Sequence, residues 1–147
     1  MGEPRPVIIV SACLLGVACN HRGLASPSPA VAELGNTARL IPVCPEVAGG
    51  LATPRSAAEL QSDGSVSTAG GADVTDAYSR GAAHAVDLAR ASGAGRAVLK
   101  ARSPSCGCHE VYDGTFTRTL RQGMGVTADA LRAAGLEVVS DEDVEAW

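Results

Sequence analysis

Three short apolar runs in this chain each lead directly into a cysteine-bearing loop, and no other feature restricts the fold as strongly. Val7-Ile8-Ile9-Val10 runs into Ser11-Ala12-Cys13, Leu40-Ile41-Pro42-Val43 into Cys44-Pro45-Glu46, and Ala97-Val98-Leu99 into Lys100-Ala101-Arg102-Ser103-Pro104-Ser105-Cys106-Gly107-Cys108. Runs of β-formers without polar alternation are buried on both faces, as in parallel sheets covered by helices. Residues 136–139 predict a fourth strand. Between the runs lie helical patterns: residues 29–34, stopped near Gly35-Asn36; a longer helix capped by Asp73 or Thr75 and ended by Gly93; and a short one capped by Thr127 and stopped at Gly135. On the longer helix Tyr78, Ala82, Ala85, Leu88 and Ala89 share one face, which should lie close against a sheet.

Strands alternating with helices predict an α/β fold, a Rossmann-like three-layer sandwich with a mainly parallel sheet of four to five strands. The length of 147 residues suits a single domain over 1–147. Residues 45–71 lack clear periodicity and read as a long loop crossing over the site. Residues 111–117 read as extended, and Ser140 begins an acidic terminal turn or helix. In open α/β sheets the functional crevice lies beyond the carboxyl ends of the strands, which is where Cys13, Cys44 and Cys106 all fall.

A net charge of −4 argues against a sequence-independent grip on nucleic acid, which needs clustered Lys and Arg. No run approaches the roughly 18 apolar residues of a membrane span. Val10-Ser11-Ala12-Cys13 has the look of a lipoprotein processing site, but the apolar segment before it is only four residues, flanked by Pro4 and Pro6, against the roughly 7 to 15 that export requires. A cytoplasmic protein with reduced cysteines is therefore expected. The odd count of five cysteines suits metal or catalysis better than a disulfide framework.

A single cysteine is most often a small buried hydrophobe; three at equivalent strand ends point to joint use. Three thiolates can hold zinc with His21 or His109 as fourth ligand, or an iron-sulfur cluster with one iron left without a protein ligand. His84 lies inside the predicted helix and reads as solvated or a core contact. A redox pair of Cys106 and Cys108 fits poorly, because one intervening glycine is not the usual two-residue spacing. Cys19 and Cys108 come from loops that already offer a cysteine and are read as bystanders. Gly123-Met124-Gly125 before the last helix reads as a tight connection rather than an anion site. Tyr112 and Phe116 are the aromatics near these loops; Phe116 is expected to pack in the core.

Taken in order, Ser11-Ala-Cys13-Leu-Leu-Gly16, Cys44-Pro-Glu46-Val-Ala-Gly49-Gly50-Leu51, Pro54-Arg55, Gly71-Ala-Asp73-Val-Thr75, Lys100 with Ser103-Pro-Ser-Cys-Gly107, and Tyr112-Asp-Gly-Thr-Phe116 with Gly123-Met-Gly-Val-Thr127 resemble the thiouracil desulfurases. The resemblance spans about residues 7 to 142. One departure is Asn20-His21-Arg22-Gly23, where members more often carry an Arg-Tyr-Asp-Gly-like run. The resemblance implies a 4Fe-4S cluster on Cys13, Cys44 and Cys106 with its fourth iron open to sulfur. It implies an enzyme that converts 2-thiouracil-like thiolated pyrimidines to the oxo base by non-redox hydrolysis, releasing hydrogen sulfide. Glu46 would take the proton of the attacking water, and Ser103 would orient the substrate or relay a proton. Lys100, Ser105 and Tyr112 are the candidate substrate contacts, with the free amine of a packed surface lysine as the plainer reading of Lys100. The only partner expected is the small thiolated pyrimidine, with neither nucleic acid nor membrane. A sulfur-carrying module and a structural zinc protein are the alternatives.

Overall fold

The structure, a computed structural model, describes residues 5–146. Val7–Ser11 forms β1 and is followed by a single 3-10 turn, Ala12–Leu15, closed by Gly16 in the left-handed region. Helix α1, Pro29–Glu33, is capped by the Ser28 side chain and leads to β2, Arg39–Val43. Helix α2 is the four-residue Pro45–Ala48; β3, Ala58–Leu60, and β4, Val66–Thr68, form a hairpin. Helix α3 runs from Thr75 to Ser92 and ends at Gly93, whose φ of 73° only glycine adopts freely. Then come β5, Arg96–Leu99; the hairpin strands β6, Glu110–Tyr112, and β7, Leu120–Gln122; α4, Val126–Ala133; and β8, Glu137–Ser140, with a terminal 3-10 segment.

The main sheet has the order β2-β1-β5-β8, with every neighbour parallel. Alternation along the strands sends Ile9, Ala97, Leu99 and Val138 to one face, where they pack with Ala85 and Ala89 of α3 and Ala128 and Leu131 of α4. Ile8, Val10 and Val98 face the other way, against Leu14, Val31 and Val144. This is the three-layer α/β sandwich that the buried strands require. Each large side chain so buried contributes roughly 1.5–3 kcal/mol. β2 is added on one side of β1 and β5 then on the other, so the order of strand addition reverses at β1, and a crevice opens between β1 and β5 beyond their carboxyl ends.

Several details differ from expectation. Residues 45–71 are not one loop: they hold α2 and the β3–β4 hairpin, elements too short to show a period. Strand β6 stops at Tyr112, and residues 113–119 turn back to β7. Neither Asp73 nor Thr75 occupies the cap position of α3, which is Val74; instead Asp73 Oδ1 accepts from the Thr75 amide at 2.9 Å. Helix α4 starts one residue before Thr127, from Gly125, and the Thr127 hydroxyl is engaged elsewhere. Among the described residues, no helix is long and apolar enough to cross a membrane.

Candidate functional site

A cavity of about 660 Å³ opens at the carboxyl ends of β2, β1 and β5. Cys13 enters it from the turn after β1, Cys44 from the end of β2, and Cys106 from the loop after β5. Cys19 lines it as well. Three thiols distant in sequence meet here because adjacent parallel strands end side by side.

The loop after β5 is held by its own backbone and by α4. Ser103 Oγ accepts hydrogen bonds from the amides of Ser105 and Cys106, each at 3.1 Å, and the Ser103 carbonyl accepts from Gly107 at 2.9 Å. The hydroxyl proton of Ser103 has no acceptor among the described residues, so it is available to the cavity that Ser103 lines. Behind the loop, the Ser105 and Thr127 hydroxyls share a buried hydrogen bond of 2.9 Å, and the Ser105 carbonyl accepts from the Thr127 amide. Gly125 is required for this fit: a Cβ there would lie 2.4 Å from the Ser105 carbonyl carbon. Of the two glycines around Met124, Gly125 thus serves close packing.

Glu46, two residues past Cys44 on α2, lines the cavity with its side chain 16% exposed. Its Oε1 accepts from Arg55 Nε at 3.0 Å and from the Tyr78 hydroxyl at 2.8 Å. Oε2 has no partner among the described residues. Arg55 also donates through Nη2 to the Cys19 carbonyl at 2.9 Å, and the Cys44 thiol points at that same carbonyl from 3.6 Å. Lys100 lines the cavity and makes no ion pair among the described residues; its backbone amide donates to Ser11 Oγ at 2.9 Å. Tyr112 lines the cavity half-buried.

Of the residues singled out from sequence, Cys13, Cys44, Cys106, Glu46, Ser103, Lys100 and Tyr112 all line this one cavity. Ser105 does not; it sits fully buried behind it. His21 is on the rim, His84 is exposed on α3, and His109 points away to pair with Asp143 at 2.7 Å. Cys108 is buried on the far side of the loop, in the core with α3 and α4. Phe116 is not in the core but 36% exposed, in a left-handed turn. Arg55 and Tyr78 were not picked out as site residues. Along the sequence Arg55 lies within the Pro54-Arg55 motif and Tyr78 on a helix face that packs, but a carboxylate partner lies outside what spacing along one chain can reveal.

The donor set is chemically informative. Burial raises the Cys106 thiol to about 12 and also raises Cys13, with Cys44 nearby adding to the effect at Cys13. Free thiols here stay protonated at neutral pH, so a soft, highly charged group must displace the protons to bind. Arg22, Arg55, Lys100, Arg102 and Arg118 line the cavity, against the carboxylates Glu46 and Glu59. A locally cationic lining in a chain of net charge −4 suits a thiolate-bound cluster, which is anionic. Three thiols delivered to one cavity from separate strand ends are a donor set that suits an iron-sulfur cluster.

A family model described as 2-thiouracil desulfurase matches residues 8–143. The uncharacterized protein YbbK of Bacillus subtilis (strain 168) is 37% identical, covering 94% of this chain and 97% of its own. Among solved structures, the [4Fe-4S]-dependent thiouracil desulfidase TudS superposes with a TM-score of 0.90 at 42% identity, over 97% of this chain and 95% of that one.

Proposed function

The chain belongs to the 2-thiouracil desulfurase family, and from that premise we propose that it is a 4Fe-4S-dependent desulfidase acting on 2-thiouracil-like thiolated pyrimidines. The reaction is a hydrolysis: water supplies the oxygen of the new carbonyl, and both of its protons leave on sulfur as hydrogen sulfide, so no external electron is needed. The observation that carries the reading is the convergence of Cys13, Cys44 and Cys106 on one cavity at three adjacent strand ends.

Cys13, Cys44 and Cys106 are the proposed ligands. Three protein ligands would leave one iron open, and the bound cluster would supply a Lewis acid with affinity for thiocarbonyl sulfur. Glu46 takes a proton from the attacking water on Oε2, the oxygen not already committed to Arg55 and Tyr78. Ser103, whose oxygen is fixed by two amides, donates its free proton towards the substrate. Lys100 offers a cation to the charge that develops on the pyrimidine, and Tyr112 a ring face for it. Ser105 anchors the Ser103–Cys106 turn to α4.

Anaerobic purification followed by iron and acid-labile sulfide analysis tests the cofactor, and zinc without sulfide would end the cluster reading. Incubation of the loaded protein with 2-thiouracil should then convert its thiocarbonyl absorbance to that of uracil with one sulfide released per base. A loaded protein that binds sulfide yet leaves the base intact is a carrier instead.

A further inference from the structure

We infer that Arg55 and Tyr78 are positioning residues for Glu46, committing one carboxylate oxygen so that the other is presented to the reacting water; this rests on the desulfidase reading above. The two donors reach the same oxygen, Oε1, at 3.0 and 2.8 Å. They come from different parts of the chain, Arg55 from the segment between α2 and β3 and Tyr78 from the first turns of α3. A carboxylate held by one donor can still swing about its terminal torsion; two donors from separate directions fix its plane and decide which oxygen is free.

All three side chains are held tightly enough for this to matter. The Tyr78 residue is 1% exposed, and the side chains of Arg55 and Glu46 are 8% and 16% exposed. Arg55 is itself anchored by donation to the carbonyls of Cys19 and Ala52 and to Thr53 Oγ1. Its bond to the Cys19 carbonyl couples the position of the carboxylate to the loop that also receives the Cys44 thiol. Tyr78, in turn, is brought within reach because α2 and α3 touch through glycines. A purely packing role for Tyr78 would be served equally by phenylalanine.

The experiment compares Tyr78→Phe, Arg55→Ala and Arg55→Lys, each loaded anaerobically and matched for iron content, with 2-thiouracil as substrate. Tyr78→Phe should retain iron and KM while kcat falls between about 10- and 100-fold, the range that a small misplacement of a reacting group costs. Arg55→Lys keeps the charge without the forked donors and should recover part of what Arg55→Ala loses. In a Glu46→Gln background, Tyr78→Phe should lower kcat no further. A Tyr78→Phe enzyme with wild-type kcat, or one whose loss is wholly in KM, overturns the inference, as does a loss that simply adds to that of Glu46→Gln.

A readout without the cluster separates this inference from the functional reading. In metal-free protein, urea unfolding of the Glu46→Ala, Tyr78→Phe and double variants should show coupling between the two residues. Absence of coupling overturns the positioning role whatever the protein catalyses. Loaded wild type that leaves the base intact sinks the desulfidase reading and this one together, whereas active wild type with an indifferent Tyr78→Phe sinks this one alone.

Discussion

Gly81 of α3 passes so close to Pro45 of α2 that a Cβ on the glycine would lie 1.9 Å from the proline carbonyl oxygen. The contact is reciprocal: a Cβ on Gly49 would lie 1.9 Å from the carbonyl oxygen of Ala77. Two glycines thus let a helix of four residues press its backbone against one of eighteen. The same contact brings Tyr78 and Glu46 face to face, the tyrosine hydroxyl donating to the carboxylate at 2.8 Å.

Gly81→Ala should therefore destabilise the protein, even though alanine is the better helix former by about 1 kcal/mol. Forcing a methyl against a backbone carbonyl requires α2 to move, at a cost of about 1–3 kcal/mol. The urea midpoint of the metal-free variant should fall with no change in the slope, and turnover should fall with it. A midpoint equal to wild type would mean that the two helices separate freely and that the glycine pair has no positioning role.

Ser103→Ala tests a second built-in restraint. Removing Oγ leaves the amides of Ser105 and Cys106 without their acceptor, at about 1–3 kcal/mol for each group that stays buried and unpaired. It also removes the proton proposed for the substrate. Ser103→Thr keeps the oxygen and should restore stability. Stability without activity in Ser103→Thr, together with loss of both in Ser103→Ala, is the expected pattern only if the added methyl blocks the substrate; recovery of both is expected otherwise. Wild-type turnover in Ser103→Ala removes the hydroxyl from the mechanism.

The strands of the main sheet could be read from the sequence because each contains a short apolar run: in the central β1 and β5 that run is buried, while the edge strands β2 and β8 keep exposed residues such as Arg39 and Glu137. The same reading puts Cys13, Cys44 and Cys106 each at a strand end, but that they line one cavity is visible only once the strands are seen to lie side by side. What was hidden has a different cause. Helix α2 and strands β3, β4, β6 and β7 are three or four residues long, too short to express a period, and exist through their tertiary contacts. Ser105 and Ser103 are separated by one residue and look equivalent along the chain. Only the packing of α4 turns the Ser105 hydroxyl towards Thr127 and leaves that of Ser103 facing the cavity.

Alkaline pH should weaken the metal-free fold, and Cys108 should carry part of the effect. Burial, with Asp143 next in importance, raises this thiol from its ordinary 9.0 to about 11. Below pH 9 it is protonated both folded and unfolded. Between about 9 and 11 the unfolded chain ionises it while the folded chain does not, so unfolding gains and stability falls as pH rises. Urea midpoints measured across that window should drop for wild type and drop less for Cys108→Ala. Parallel curves for the two proteins would show that the Cys108 thiol is not held protonated by the fold.

The five cysteines separate into roles that iron analysis can read. Cys106→Ala should abolish retention of iron and acid-labile sulfide, because two remaining thiolates rarely hold such a cluster. Cys108→Ala should keep both, since Cys108 is packed on the far side of the loop from the cavity. Cys19 is the discriminating position, for it lines the cavity beside the proposed ligands. Its carbonyl accepts from Arg55 and the Cys44 thiol and survives substitution of the side chain, and the thiol's contact with the Cys44 thiol is one that a serine hydroxyl can keep. Cys19→Ser should therefore load iron and sulfide as wild type does. Complete loss there, with retention in Cys13→Ser or Cys44→Ser, would exchange the members of the ligand trio and place the open corner of the cluster elsewhere in the cavity.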